Sequence, residues 1–205
     1  MKRDLHRYLR SARSALLWKL EGLSEYDVRR PLTPTGTNLL GLVRHVASVD
    51  VGYFGECLGR PFPEPLPWFD DDAEPNADLW VRADESRDDV VGLCRRAWAH
   101  SDATIEALDL DAEGEVPWWP EADRRVTLHR LLVHMLAETH RHAGHADIVR
   151  ESIDGLAGLS AGNENLPSVP VGWWADFRAR VEGAARTAQE SSDAAGGADR
   201  EQEDD

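Results

Sequence analysis

Glu138 and His142 stand four residues apart in the run Glu138-Thr-His-Arg-His142-Ala-Gly-His145-Ala-Asp147. On an α-helix that spacing puts two side chains on one face, a turn apart. A carboxylate and an imidazole so placed can grip one divalent cation. His145 falls on the same side three residues later. His45, far upstream in a second apolar helical pattern, can supply a third ligand. Three protein ligands leave a coordination position open, which distinguishes a reactive metal centre from a closed structural one. Nitrogen and oxygen donors together suit Zn²⁺, and also Ni, Fe, Mn or Co. Spacing by itself leaves a plainer alternative, in which Glu138 and His142 form only a hydrogen-bonded pair on a solvated face. His129, His134 and His140 read as surface histidines. His145 is open between a fourth ligand, a hydrogen-bonding neighbour of the site, a polar pocket lining and a proton carrier.

The elements that must position these residues are helices. Apolar periodicity predicts them over about 2–23, 37–58, 84–108 and 127–153, with a short final helix over about 173–185. Thr37 or Asn38 can start the second, and Thr127 the fourth. Gly59 followed by Arg60-Pro61 ends the second, and Asp154-Gly155 ends the fourth. The segment from Pro61 to Ala77 is rich in proline and acid and must be a loop. So must Glu115-Val-Pro-Trp-Trp-Pro120. Strand is expected only as short pieces near Val116 and Val126. The prediction is an all-α four-helix bundle with long crossover loops, whose inward side chains on facing helices can build a metal site. The bundle domain is expected over residues 1–186. From Thr187 the chain carries Glu190, Asp193, Asp199, Glu201, Glu203, Asp204 and Asp205 against Arg200, and 187–205 is expected to be a disordered acidic tail.

Within the helical stripes two charges stand out. Asp50 falls near the middle of the second helix's apolar face and Arg150 at the edge of the fourth's. They are expected either to pair in the core or to reach separately to solvent.

Composition narrows the function. Apolar residues make up 41% of the 205, enough for a core, and the formal net charge is −15. That charge disfavours binding to phosphate backbones, which requires clustered Lys and Arg. Cys57 and Cys94 lie in apolar helical patterns and read as buried free thiols, which fits a reducing, cytoplasmic setting. The start Met1-Lys-Arg-Asp-Leu-His lacks the apolar core of a signal peptide, and no apolar run is long enough for a membrane span.

With those residues in view, the chain resembles the DinB/YfiT-like superfamily of metal-binding bundles, and within it the actinobacterial branch that includes mycothiol-dependent isomerases and transferases. The likeness rests on Leu42-Val-Arg-His45-Val-Ala-Ser-Val-Asp50-Val-Gly-Tyr53-Phe54 and on His134-Met-Leu-Ala-Glu138-Thr-His-Arg-His142-Ala-Gly-His145-Ala-Asp147-Ile-Val-Arg150-Glu151. It extends over about residues 1–185. The resemblance implies a triad of His45, Glu138 and His142. Many relatives have His where Glu138 stands, and the mycothiol-linked members are similar to this chain in using Glu. Many also have Gln at the position of His145.

The implied activity is a metal-dependent S-transferase or isomerase using a small thiol such as mycothiol and an electrophilic substrate. Such an enzyme needs no cysteine nucleophile of its own, because the co-substrate brings the sulfur. Trp68, Trp118 and Trp119 lie in loops and can wall the substrate pocket or simply pack onto the core. Two other classes fit the same residues: a metal-dependent hydrolase with His145 or His134 carrying the proton, and a non-catalytic metal-binding or stress-response module. Shared tryptophan-rich loops and helix faces would also suit a homodimer.

Overall fold

The structure, a computed structural model, describes residues 1–70 and 72–201, with side chains up to Ser192. Its helices are α1 (Lys2–Trp18), α2 (Glu25–Arg29), α3 (Leu39–Phe54), α4 (Arg87–Ala107), α5 (Leu128–Asp154) and α6 (Trp173–Glu201). Strands β1 (Glu113–Glu115) and β2 (Arg125–Thr127) pair antiparallel, with Gly114 opposite Val126. Among the described residues no helix is long and apolar enough to cross a membrane.

The helices begin where side chains can take up their free N–H groups. Asn38, not Thr37, caps α3 by accepting from the Gly41 N–H at 2.8 Å. Ser86 caps α4, and Thr127 caps α5. Gly155 ends α5 at φ 82°, the left-handed conformation that glycine adopts without strain, and its N–H returns to Glu151 O.

The chain divides into two compact units, Met1–Asn165 and the segment from Leu166 onward. The first is a bundle of α1, α3, α4 and α5 in which α3 packs against α4 and α5, and α1 packs against α5. Sequence neighbours therefore do not always touch, and long crossovers result. The core is assembled from residues such as Leu16, Leu40, Val43 and Val46 towards one end, and Leu9, Phe54, Leu131, Leu132 and Met135 towards the other. Removing a fully buried leucine such as Leu131 down to alanine typically costs about 2–5 kcal/mol.

α3 is buried almost all round, because α4, α5 and the crossover segment cover it. Only its His45, Val49 and Gly52 are partly open to solvent. At i, i+4 and i+7 they share one face. That open stripe organises the site.

Three expectations need correction. The first helix stops at Trp18 instead of Leu23, because the chain turns at Lys19–Gly22, and α2 then starts on the Ser24 cap. The last helix is longer than expected: α6 runs from Trp173 to Glu201, while residues 202–205 of the expected acidic tail lie outside the described residues. Alanines at 184, 185 and 188 favour helix, and Arg186 pairs with Glu182 at 2.9 Å one turn back. Finally, Asp50 and Arg150 are both buried but do not pair with each other. Asp50 is held by Arg13 on α1, whereas Arg150, near the end of α5, binds Asp154 and the carbonyls of Lys19 and Glu21. Each charge is neutralised by the nearest helix end or neighbour that packing brings to it.

Candidate metal centre

The stripe of α3 that carries His45 faces the side of α5 that carries Glu138 and His142. One ligand atom from each of the three lies within 4.8 Å of the other two. Ligands of a tetrahedral ion with bonds of ~2.0–2.1 Å stand about 3.3–3.4 Å apart, so sub-ångström side-chain shifts would close the set. The imidazoles of His45 and His142 meet edge to face at 4.8 Å between centroids. Side-chain exposure is 19% for His45, 28% for Glu138 and 13% for His142, a site at the edge of the core that opens to one side.

Nε2 of His142 hydrogen-bonds Glu138 Oε1 at 2.9 Å. Its other nitrogen, Nδ1, is buried without a hydrogen-bond partner among the described residues. Burial pushes the His142 pKa down, and the neighbouring His45 adds to this, against the pull of Glu138. The ring is therefore held as the neutral imidazole that can act as a ligand. A buried polar nitrogen without a partner is costly in a purely structural residue. Two imidazoles and a carboxylate, converging at this separation, fit a divalent cation.

Nδ1 of His45 lies 2.5 Å from Asp78 Oδ2, which leaves Nε2 as the nitrogen free to bind an ion. Burial alone would push the Asp78 carboxyl up, but hydrogen bonding and charge from His45 outweigh it and hold it below the ordinary carboxylate range. Asp78 sits in the crossover loop, 33 residues from His45. It is one acid among many in that loop, so no spacing marked it beforehand.

The other candidates separate. His145 is exposed, with its ring 5.3 Å from that of His142, on the solvent side of the site. His129 and His140 are exposed. His134, one turn before Glu138, is half-buried against Tyr53 and Trp119, and burial lowers its pKa. Trp118 and Trp119 both donate their indole N–H to the Tyr53 hydroxyl, at 3.3 and 3.1 Å. Trp68 instead anchors the crossover loop: it donates to Ser48 Oγ at 3.0 Å and lies beneath the Arg44 guanidinium.

A cavity of about 640 Å³ is lined by Val49, Gly52, Tyr53, Phe62, Phe69 and Trp118, among others, with the carboxylates of Glu56, Glu64 and Asp70 at its walls. The metal-site residues are not part of that lining. The link between the two is the open stripe of α3, on which His45 is followed by Val49 and Gly52.

Cys57 and Cys94 are buried free thiols, and burial pushes both up to about 12. Neither is a nucleophile at neutral pH.

Comparison with known families gives one finding. The family model described as mycothiol-S-transferase matches residues 4–155, the span that contains the bundle and all three candidate ligands. A search of curated proteins returned no match.

Proposed function

Because the chain belongs to the mycothiol-S-transferase family, we propose that it is a metal-dependent S-transferase or isomerase that uses the thiol of mycothiol on an electrophilic small molecule. His45, Glu138 and His142 hold the ion, with Zn²⁺ the first candidate and Ni, Fe, Mn or Co compatible with the same donors. The observation that carries this reading is the convergence of those three side chains within 4.8 Å at the open edge of the bundle. When bound, a divalent cation supplies the positive charge that lowers the pKa of a small thiol brought to it.

The chain's own residues do the rest. Asp78 holds His45 through Nδ1, so the imidazole presents Nε2. Glu138 and His142 come from one rigid helix, which keeps their separation constant. The cavity walled by Tyr53 and Trp118 takes the body of the co-substrate. Gly52 is seven residues beyond His45 on the same α3 face, about 10 Å along the helix axis at 1.5 Å per residue. A thiol of that length reaches the ligands while its polar part lies in the cavity. As the sulfur–carbon bond to the electrophile forms, the electrophile's bond to its leaving group breaks and that group departs with the bonding pair, as halide from a halodinitrobenzene, while the thiol proton passes to water or to His145, which stands at the exposed side of His142. Cys57 and Cys94 take no part, because both thiols are buried and protonated.

The test is metal content by mass spectrometry on protein purified without a chelating tag, alongside His45→Ala and His142→Ala. We expect about one divalent ion per chain, lost in both variants, and metal-dependent consumption of mycothiol in the presence of an electrophile such as a halodinitrobenzene. A wild-type chain that takes up no Zn²⁺, Ni²⁺, Mn²⁺ or Fe²⁺ on loading would sink the proposal. Metal uptake with hydrolytic activity and no use of thiols would replace it with a hydrolase.

A further inference from the structure

Three consecutive backbone carbonyls of the crossover loop are each bound by a side chain of the α3 N-terminal half. Arg44 Nη2 donates to Ala77 O at 2.5 Å and Arg44 Nε to Asp78 O at 3.3 Å. Asn38 Nδ2 donates to Leu79 O at 3.0 Å, while its Oδ1 caps the helix at Gly41 N. Asn38, Gly41, Arg44 and His45 recur at helical spacing, so the loop lies along the stripe that carries His45. Gly41 makes this contact possible: a Cβ there would fall 1.8 Å from Leu79 O and 2.5 Å from Leu79 C. No side chain larger than hydrogen fits without moving the loop backbone. Arg44 is itself locked by Glu85 at 3.2 Å and by the Trp68 ring at 4.5 Å. Asp78 is thereby delivered to His45 Nδ1.

From this arrangement we infer that the segment Ala77–Leu79 is a built positioning element of the metal site, in which Asp78 sets the orientation and ligating nitrogen of His45 and Gly41 is required to seat it. The inference rests on the metal-centre reading above. Asp78 touches the ligand, not the ion, and is a positioning residue. A free imidazole on α3 could rotate about its side-chain bonds and offer either nitrogen. One tied to a carboxylate at Nδ1 offers only Nε2, at a fixed angle.

The experiment uses the full chain, stripped with a chelator and titrated with Zn²⁺ against a chromophoric competitor, then with Co²⁺ to record its visible absorption. Asp78→Asn keeps the side chain's shape and leaves all three ligands in place. We expect its Zn²⁺ affinity to fall about 10–100-fold, with a changed Co²⁺ spectrum and a melting temperature of the metal-free protein close to wild type. Gly41→Ala, which also leaves every ligand present, should weaken the metal in the same direction. A purely structural role for Asp78 would lower the metal-free melting temperature and leave the affinity and the Co²⁺ spectrum unmoved. If wild type binds Zn²⁺ and Asp78→Asn binds it within twofold, the inference is overturned and the metal centre stands. If wild type binds no metal, both fall together.

Discussion

Arg13 on α1 and Asp50 on α3 form a two-pronged ion pair inside the bundle. Nη2 lies 2.7 Å from Oδ2 and 2.8 Å from Oδ1, and Nε lies 3.0 Å from Oδ2, with side-chain exposures of 3% and 0%. The same guanidinium reaches Asp102 on α4 at 2.6 Å through Nη1, and His6 binds Asp102 at 2.8 Å. One cation thus ties α1 to α3 and α4, which pack closely against each other but make little other contact with α1.

Breaking that pair strands a charge where water cannot reach it. Asp50→Ala should destabilise the fold by about 3–5 kcal/mol, read from urea unfolding at neutral pH. Arg150→Ala, which leaves Asp50 paired, should be additive with it, because the two sites share no partner. A strong non-additive coupling between Asp50 and Arg150 would contradict the pairing described.

The role of the cavity can be separated from that of the metal. Gly52→Leu puts a side chain between α3 and Trp118, whose Cη2 would lie 3.7 Å from the new Cβ. We expect metal content unchanged and KM for the thiol raised about tenfold or more, a binding loss of ~1.4 kcal/mol. An unchanged KM would remove the cavity from the reaction.

Both cysteines should be dispensable. With their thiols pushed up to about 12 by burial, Cys57 and Cys94 should not react with an aromatic disulfide reagent at pH 8 in the folded chain, and both should react after unfolding. Cys94→Ala should retain S-transfer. Loss of turnover in a folded, metal-loaded Cys94→Ala protein would transfer the nucleophile from the co-substrate to the chain.

Acid stability carries a signature of the end of α5. Burial raises the Asp154 carboxyl, but hydrogen bonds and charge from Arg150 outweigh it and leave it below the ordinary value. The unfolded chain therefore binds the proton more readily than the folded one, so stability from this pair rises with pH. It is complete above the usual aspartate value of about 3.9 and is lost as pH falls through the depressed one. The stability gap between wild type and Asp154→Asn should be present at pH 7 and shrink below about pH 4. A gap that does not change with pH would assign the effect to packing.

Much of the chain was legible in its residues because the relevant signals are local. Helix starts at Asn38 and Thr127 and the stop at Gly155 depend on a few neighbouring residues, and so does the four-residue spacing that puts Glu138 beside His142. The placement of His45 with them followed from family resemblance and from helical faces. Other features depended on which surfaces meet. Asp78 reaches His45 across a loop with no regular repeat, and only the seating of Leu79 on Gly41 puts it there. Asp50 found Arg13 instead of Arg150 because α1 supplies the nearer cation, and a stripe on one helix does not say which helix will cover it. Periodicity reports which face of a helix is buried; the partner of each buried charge and the shape of the cavity are decided by packing between elements distant in sequence.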